Sequence, residues 1–167
     1  IHDLSTVEEP FTYKAVKPGE IKFTPLASDE EMDLGEVLEK HPKGREFAHI
    51  LAGKEKYPVI VDANGEVLSF PPIINGQKTT VKVGMRDLLI DVTGTDPKAV
   101  KSALDLVSTA LAERGGKIYS VKIIEDGKSR RAPDLSPTSW RISAEECSTH
   151  LGIDLEPADI VVALAKM

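Results

Sequence analysis

Two polar side chains stand at the ends of an apolar segment that contains two adjacent prolines. Ser69 precedes Phe70-Pro-Pro-Ile-Ile74, and Asn75 follows it. The Pro-Pro pair fixes an extended backbone, so both polar residues fall among side chains that should be buried. Buried polar groups need hydrogen-bond partners. The pattern therefore predicts a rigid pocket wall or, with about equal weight, a turn in which Asn75 simply caps the backbone.

Asp91 raises the same question because it interrupts the apolar run Leu88–Val92. A carboxylate in a central strand is costly unless it is paired or faces a polar cavity. The alternative to a functional role is a structural salt bridge, for which Arg86 is the candidate partner. Just beyond, the turn Thr93-Gly-Thr-Asp96 has the form of a backbone cradle for an anion, but helix caps of this kind are common and a cap is favoured.

Other kinds of reactive site find little support in the sequence. The four histidines show no paired ligand spacing, and the single cysteine excludes a multi-thiolate zinc site and an internal disulfide. We interpret the histidines as solvated or half-buried structural residues and the cysteine as a packed residue on a helix face. No Gly-x-Ser-x-Gly elbow is present. The residues concerned are His2, His41, His49, His150 and Cys147.

The overall composition is that of an acidic globular chain. Its 167 residues are 41% hydrophobic and 29% charged, with a formal net charge of −6. This length suffices for one domain, or for one domain and part of the next. An acidic chain with only 5% aromatic residues is not a self-sufficient nucleic-acid binder, and the basic cluster Lys128-Ser-Arg-Arg131 is interpreted as solvated surface. The absence of a membrane-length apolar run or a signal-peptide pattern predicts a cytoplasmic protein without a membrane partner.

The first third of the chain predicts short edge strands and then two short helices. Alternating runs at 11–13 and 21–24 are punctuated by prolines, which is typical of strands at a sheet edge. A helix is predicted to begin at Ser28, which three carboxylates follow. Apolar spacing at 47–51, closed by Gly53, predicts the second helix.

The middle of the chain contains the clearest strand signals. The β-rich runs 57–61 and 66–70 flank Asn64-Gly65, a pattern that predicts a hairpin. A further buried strand is predicted over 88–93. Asp96 followed by Pro97 then marks the start of a helix whose apolar side chains at helical spacing, between 100 and 111, predict one core face.

After that helix a strand is predicted over 117–124, followed by a charged loop at 126–133. We place a domain boundary near 127–138 because of this change in composition. Beyond it, the capping-box pattern of Ser143-Ala-Glu-Glu146 predicts a short helix and Pro157 starts another. This last apolar pattern is still running at Met167, and the chain starts at Ile1, so we expect a piece of a longer protein.

Several motifs occur together in an order that is more specific than any one of them. They are Ile1-His-Asp-Leu, Pro10-Phe-Thr-Tyr13, Tyr57-Pro-Val-Ile, Leu68-Ser-Phe-Pro-Pro-Ile-Ile-Asn-Gly76 and Leu89-Ile-Asp-Val-Thr-Gly-Thr-Asp96. In this combination the sequence resembles the editing domain of the phenylalanyl-tRNA synthetase β subunit, of the archaeal and eukaryotic type. The resemblance covers about residues 1 to 125, and the remainder resembles the opening of the next domain of that subunit.

The resemblance implies an α+β fold, a β-sandwich-like core with flanking helices, rather than a doubly wound sheet. It places the editing domain at residues 1–127 and a truncated part of the following domain at 135–167. The implied activity is hydrolysis of tyrosine wrongly esterified to phenylalanine tRNA, away from the synthetic site. The alternative is a non-catalytic module that docks tRNA or packs against another subunit.

The resemblance also implies the site. Family editing residues map onto four polar positions and one apolar wall: Ser69, Asn75, Asp91, Thr93 and Ile60. An aminoacyl ester is already activated, so we expect a positioned water to attack it without a protein nucleophile. Asn75 and backbone amides, including that of Gly76, are the candidates for positioning, and Ser69 or Asp91 would hydrogen-bond the tyrosine hydroxyl. Eukaryotic relatives tend to have Glu at the position of Asp91.

The implied partners are the mischarged 3′ end of phenylalanine tRNA and the synthetase α subunit, in an α2β2 heterotetramer. No cofactor is expected for the editing domain, and ATP and Mg²⁺ are expected to act at sites outside this segment. The net charge of −6 then indicates that other parts of the enzyme hold the tRNA.

Overall fold

The computed structural model describes residues 1–166, and Met167, the last residue of the predicted second domain, lies outside them. The chain divides into two compact units, one from Ile1 to Asp134 and one from Leu135 onward. A strand that ends at Ala132 belongs to the first unit, whereas the editing domain was predicted to end at residue 127.

An antiparallel four-stranded sheet forms the centre of the first unit, with the strand order β2-β5-β6-β7. Its strands are β2 (Thr12–Val16), β5 (Tyr57–Val61), β6 (Val67–Phe70) and β7 (Ile74–Asn75). The predicted hairpin is confirmed, since β5 pairs with β6 around a turn in which Gly65 has φ of 83°. The prediction of an edge strand near residue 12 is also confirmed, because β2 ends the strand order.

The hydrophobic core packs around this sheet and the helices beside it. Phe70 is fully buried and stacks on Tyr57, with 5.9 Å between the ring centroids. The other buried apolar residues of the cluster are Val16, Phe23, Met32, Leu34, Val37, Leu51, Val59, Val61, Val67 and Ile73.

Two short helices follow a small β-ladder in which β3 (Lys22–Phe23) pairs with β4 (Met32–Asp33). Helix α1 (Leu34–Lys40) begins after Asp33, which forms a capping box with Glu36, so the predicted start at Ser28 is wrong. Between β3 and β4 the chain instead makes a turn, in which the N–H of Ser28 donates to the carbonyl of Pro25. The second helix, predicted over 47–51, is instead α-helical at α2 (Pro42–Phe47) and continues as a 3₁₀ turn (Ala48–Leu51).

A second small ladder joins the start of the chain to its middle. Strand β1 (His2–Asp3) pairs antiparallel with β8 (Leu88–Leu89), and His2 lies opposite Leu89. A 3₁₀ turn at Leu4–Thr6 follows β1, and another at Gln77–Thr79 precedes β8. The predicted strand over 88–93 is therefore shortened to two residues, because β1 offers only two residues for pairing.

Helix α3 (Pro97–Glu113) starts as predicted, with the Asp96 side chain accepting hydrogen bonds from the N–H groups of Lys98 and Ala99. Its predicted core face is only partly buried, since Val107 is 37% exposed.

The charged segment after α3 was predicted to be a loop, and that prediction is wrong. It forms strand β10 (Lys128–Ala132), which pairs with β9 (Val121–Glu125). Asp126 and Gly127 both have positive φ, 48° and 75°, as a tight two-residue hairpin turn requires.

The second unit contains the two predicted helices, α4 (Ala144–Leu151) and α5 (Pro157–Leu164). A capping box between Ser143 and Glu146 opens α4, and Gly152 in the left-handed conformation ends it. With five α-helices and antiparallel pairing in each ladder of the described residues, the predicted α+β class is confirmed.

Candidate functional site

A cleft of about 230 Å³ lies where the β6–β7 connection and the segment after β8 come together. Its lining combines polar side chains with an apolar wall, and consists of Ile1, Ser69, Pro71, Pro72, Ile73, Ile74, Asn75, Asp91 and Thr93. The structure thus brings four of the predicted site residues together: Ser69, Asn75, Asp91 and Thr93. The volume is below the range of drug-sized ligand pockets and suits a single side chain of an amino acid.

Ser69 and Asn75 face each other across the ladder of β6 and β7. Ser69 is only 4% exposed, and its hydroxyl donates to Asn75 Oδ1 at 3.0 Å. In the described residues the Asn75 side chain has no backbone partner, so the interpretation as a simple turn cap is wrong. The Asn75 amide nitrogen keeps its hydrogens, and the Ser69 oxygen, having donated its only hydrogen, can accept but not donate again.

Asp91 follows β8 and holds a half-buried carboxyl group. Its Oδ1 accepts a hydrogen bond from His2 Nε2 at 2.9 Å, so the predicted salt bridge to Arg86 is wrong. Burial by itself raises the pKa of Asp91, but the hydrogen bond and the charge of His2 outweigh burial and lower the pKa below the ordinary value. The carboxylate is therefore ionised at neutral pH and acts only as an acceptor.

His2 and Thr79 extend this contact away from the cleft. His2 is fully buried, which contradicts the interpretation of the histidines as solvated or half-buried. Its Nδ1 lies 2.7 Å from Thr79 Oγ1, and that hydroxyl donates to the carbonyl oxygen of Gly76 at 3.2 Å. The only sequence signal for His2 was its place in the Ile1-His-Asp-Leu motif, since 89 residues separate it from its partner Asp91.

Gly76 does not have the predicted role in holding an oxyanion. Its N–H donates to the carbonyl of Leu68 at 2.8 Å, and its own carbonyl accepts from Thr79, so both backbone groups are already used. A Cβ at this position would lie 2.3 Å from the Val67 carbonyl oxygen, far inside contact distance. Gly76 is therefore needed for the close approach of two backbones.

The last two predicted residues lie at different distances from the cleft. Thr93 lines it, whereas Ile60 is not in its lining and flanks it as the cross-strand partner of Ser69. The turn from Thr93 to Asp96 serves as the cap of α3, as the sequence favoured.

Few other candidate sites occur within residues 1–166. No group of three or more His, Cys, Asp or Glu side chains is arranged to hold a metal ion. No helix in this part of the chain has the length and apolar character to cross a membrane. A second depression, beside α4, is lined by residues of that helix and its cap, including Glu145 and His150.

The cleft offers three kinds of contact to a ligand. Ile1, Pro72 and Ile74 are the apolar lining residues that keep exposed surface. The Asp91 carboxylate accepts hydrogen bonds, and the Asn75 amide nitrogen can donate one. This combination fits a small apolar group that carries a hydroxyl, next to a carbonyl oxygen that needs a donor.

Comparison with known proteins places these features in one context. No protein-family model matches the chain. Three relatives carry the name phenylalanine–tRNA ligase β subunit. The one from Methanothrix thermoacetophila is 48% identical over 167 residues, covering 100% of this chain and 31% of that protein. The one from Methanococcoides burtonii is 49% identical over 168 residues, covering 100% of this chain and 31% of that protein. The one from Methanococcus aeolicus is 47% identical over 166 residues, covering 99% of this chain and 30% of that protein.

A solved structure agrees with the sequence relatives. The crystal structure of an N-terminal fragment of the phenylalanyl-tRNA synthetase β subunit from Pyrococcus horikoshii superposes with a TM-score of 0.84 at 37% identity. The match covers 95% of this chain and 46% of that one. The chain spans about three-tenths of the length of the curated relatives it matches.

Proposed function

We propose that this chain, which belongs to the phenylalanine–tRNA ligase β-subunit family, carries an editing site that hydrolyses tyrosine wrongly esterified to phenylalanine tRNA. The observation that carries the proposal is the cleft itself. Ser69, Asn75, Asp91 and Thr93 come from separate segments and converge beside an apolar wall. Polar groups that converge in this way are typical of a site that recognises one small ligand.

Recognition of tyrosine is assigned to Asp91. A phenol donates a hydrogen bond, and the ionised carboxylate accepts one. The Ser69 oxygen, whose hydrogen is given to Asn75, can also accept, but it is neutral and therefore a weaker acceptor than the carboxylate. A phenylalanine side chain would leave the carboxylate unpaired, and sites built around a substrate hydroxyl reject the analogue without it by about 10⁴- to 10⁵-fold. Correctly charged phenylalanyl-tRNA would thus survive.

Hydrolysis is assigned to a positioned water. The cleft lining holds no Cys, Lys or His, and the Ser69 hydroxyl has no base beside it and has already donated its hydrogen. The Asn75 amide nitrogen is the available donor for the oxyanion that develops when water attacks the ester carbonyl. Gly76, whose N–H is used within the sheet, is no longer part of this scheme.

The remaining elements of the proposal concern the complete enzyme. Editing of this kind needs no cofactor, and ATP and Mg²⁺ would act in the synthetic reaction outside this segment. The partners would be the α subunit, in an α2β2 assembly in the cytoplasm, and the mischarged 3′ end of phenylalanine tRNA. Because the chain has a net charge of −6, other parts of the enzyme would hold the tRNA backbone.

Deacylation of Tyr-tRNA by the complete synthetase tests this function. Loss of the amide donor in Asn75→Ala should lower the rate about 10²- to 10³-fold, as expected for an oxyanion donor. Asp91→Ala should abolish the preference for tyrosyl over phenylalanyl esters. The matched control is Asp62→Asn, which alters another buried carboxylate that does not line the cleft, and it should deacylate at the wild-type rate.

Undiminished deacylation in both cleft variants would rule out this site. A wild-type enzyme that neither deacylates Tyr-tRNA nor binds a tyrosyl-ester analogue would instead support a docking or packing module.

A further inference from the structure

We propose that His2 is a positioning residue for the editing reaction, and that it fixes the Asp91 carboxylate with one oxygen engaged and the other open to the substrate. The inference rests on the proposed function and goes beyond it, because His2 does not line the cleft and would act only through Asp91.

The backbone places His2 for this task. Strand β1 pairs with β8 so that His2 lies opposite Leu89, two residues before Asp91. The imidazole is fully buried, and its Nε2 lies 2.9 Å from Asp91 Oδ1. Among the described residues, no residue other than Asp91 itself donates to Asp91 Oδ2, so this oxygen is available to a ligand in the cleft.

Counting hydrogens defines the state of the ring. The Asp91 carboxylate has no hydrogen to give, so Nε2 of His2 must be the donor. The Thr79 hydroxyl lies 2.7 Å from Nδ1 of the same ring and 3.2 Å from the carbonyl oxygen of Gly76. The ring therefore holds the carboxylate through Nε2–H and is itself held through Nδ1.

The same contacts join the two sides of the cleft. Thr79 closes the 3₁₀ turn that follows Gly76, and Gly76 directly follows Asn75. The chain of hydrogen bonds from Asp91 through His2 and Thr79 to Gly76 thus ties the segment that carries the carboxylate to the segment that carries the Asn75 amide. His2 sets the distance between the group assigned to the phenol and the group assigned to the ester. A misplacement of about 1 Å between such groups can cost about 10²-fold in rate.

Three substitutions in the complete synthetase separate positioning from simple support of the fold. His2→Ala should lower kcat/KM for deacylation of Tyr-tRNA about 10²-fold. His2→Gln places an amide nitrogen near the position of Nε2 and should recover activity to within about tenfold of wild type, whereas the shorter His2→Asn should not. The matched control is His41→Ala, since His41 is also buried but contacts Leu26 and Lys43 and no residue of the cleft.

A spectroscopic measurement keeps the test decisive if a variant fails to fold. Imidazole ¹⁵N shifts of the wild-type chain at neutral pH should show hydrogen on Nε2 of His2, and Asp91→Ala should change the Nε2 shift by removing the acceptor. A wild-type ring without hydrogen on Nε2 would overturn the proposal.

The kinetic outcomes distinguish the two proposals. If the wild-type enzyme deacylates Tyr-tRNA and folded His2→Ala does so equally well, the role of His2 is wrong and the editing function stands. If folded His2→Gln is as impaired as His2→Ala, the hydrogen bond to Asp91 is not what matters, and the positioning role is again wrong. If the wild-type enzyme shows no deacylation, the editing function fails first.

Discussion

Two aspartates of the first unit, the buried Asp62 and the half-buried Asp91, differ in how many hydrogen bonds their carboxylates accept. Asp62, in the turn after β5, accepts three backbone N–H groups: Asn64 and Glu66 at Oδ1, and Glu8 at Oδ2. Asp91, beside the cleft, accepts from His2 at Oδ1, which also lies 3.7 Å from the Ile1 amino group, and in the described residues no other residue donates to its Oδ2. In both cases burial raises the pKa of the carboxyl group, but hydrogen bonds and nearby positive charges lower it by more. Both groups are therefore ionised at neutral pH.

This difference separates a carboxylate that holds the fold from one that is available for a ligand. The partners of Asp62 are mostly local and satisfy both oxygens, so nothing is left for another molecule to bind. Asp91 keeps an oxygen free at the edge of a cleft whose other polar members are Ser69, Asn75 and Thr93. A carboxylate oxygen that receives no hydrogen bond from another residue and lies beside a cavity is thus a more informative sign of function than a lowered pKa, which the two aspartates share.

The largest effect on stability should come from Asp62→Ala. Removal of the carboxylate leaves three backbone N–H groups without their acceptor, which we expect to lower the free energy of unfolding by about 3 kcal/mol. Urea denaturation of the chain measures this change. The folded variant should still deacylate Tyr-tRNA in the complete enzyme, and a loss of deacylation without loss of stability would break the comparison with Asp91.

Gly76→Ala should have the next largest effect and extends the comparison to the backbone. Gly76 lies next to the cleft, but its N–H and carbonyl are both paired, as the oxygens of Asp62 are. The added Cβ would force the Val67 carbonyl away, at a cost of about 1 to 3 kcal/mol. Gly19→Ala is the control, because nothing lies within 4 Å of a Cβ there. A stable Gly76→Ala chain would show that β6 and β7 separate easily.

The features that could be predicted from the sequence are those whose cause is local. The Asn64-Gly65 hairpin, the cap of α3 at Asp96 and the capping box at Ser143 each depend on a few adjacent residues, and the structure has all three. Ser69 and Asn75 were also identified from their neighbours, since a proline-fixed apolar segment separates them. The register that pairs them follows from the short turn between β6 and β7.

The features that could not be predicted depend on contacts between distant segments. No pattern around Asp91 indicates that its partner is His2, because that pair forms only when β1 joins β8. The same pairing, two residues long, limits the strand that the apolar run at 88–93 predicts. The charged residues of β10 do not show the alternation of apolar and polar side chains that predicts a strand. They form one nevertheless, because both faces of β10 can remain solvated while it pairs with β9.

The smallest expected effect is on the pH dependence of stability, and it compares the two aspartates directly. Each has a folded-state pKa below 3.8, the ordinary value that we take for the unfolded chain. The stabilising contribution of each is therefore complete above that value and is lost as the pH falls through the folded-state pKa. Each group can change the free energy of unfolding by at most about 1.4 kcal/mol per pH unit. The urea concentration at the unfolding midpoint of the wild-type chain, measured from about pH 6 down to about pH 3, should therefore decrease once the pH falls below this ordinary value.

Asp62→Asn and Asp91→Asn should each reduce that acid dependence, but for different reasons. In Asp62→Asn the three backbone donors lose a charged acceptor, so stability should be lower at every pH. In Asp91→Asn the contacts at Oδ1 with His2 and with the Ile1 amino group change, whereas three backbone hydrogen bonds change in Asp62→Asn. The loss of stability at neutral pH should therefore be the smaller of the two for Asp91→Asn. A larger loss of stability for Asp91→Asn than for Asp62→Asn would mean that the pair of Asp91 with His2 is primarily structural. A carboxylate oxygen without a partner would then not distinguish a residue of the binding site from one that only supports the fold.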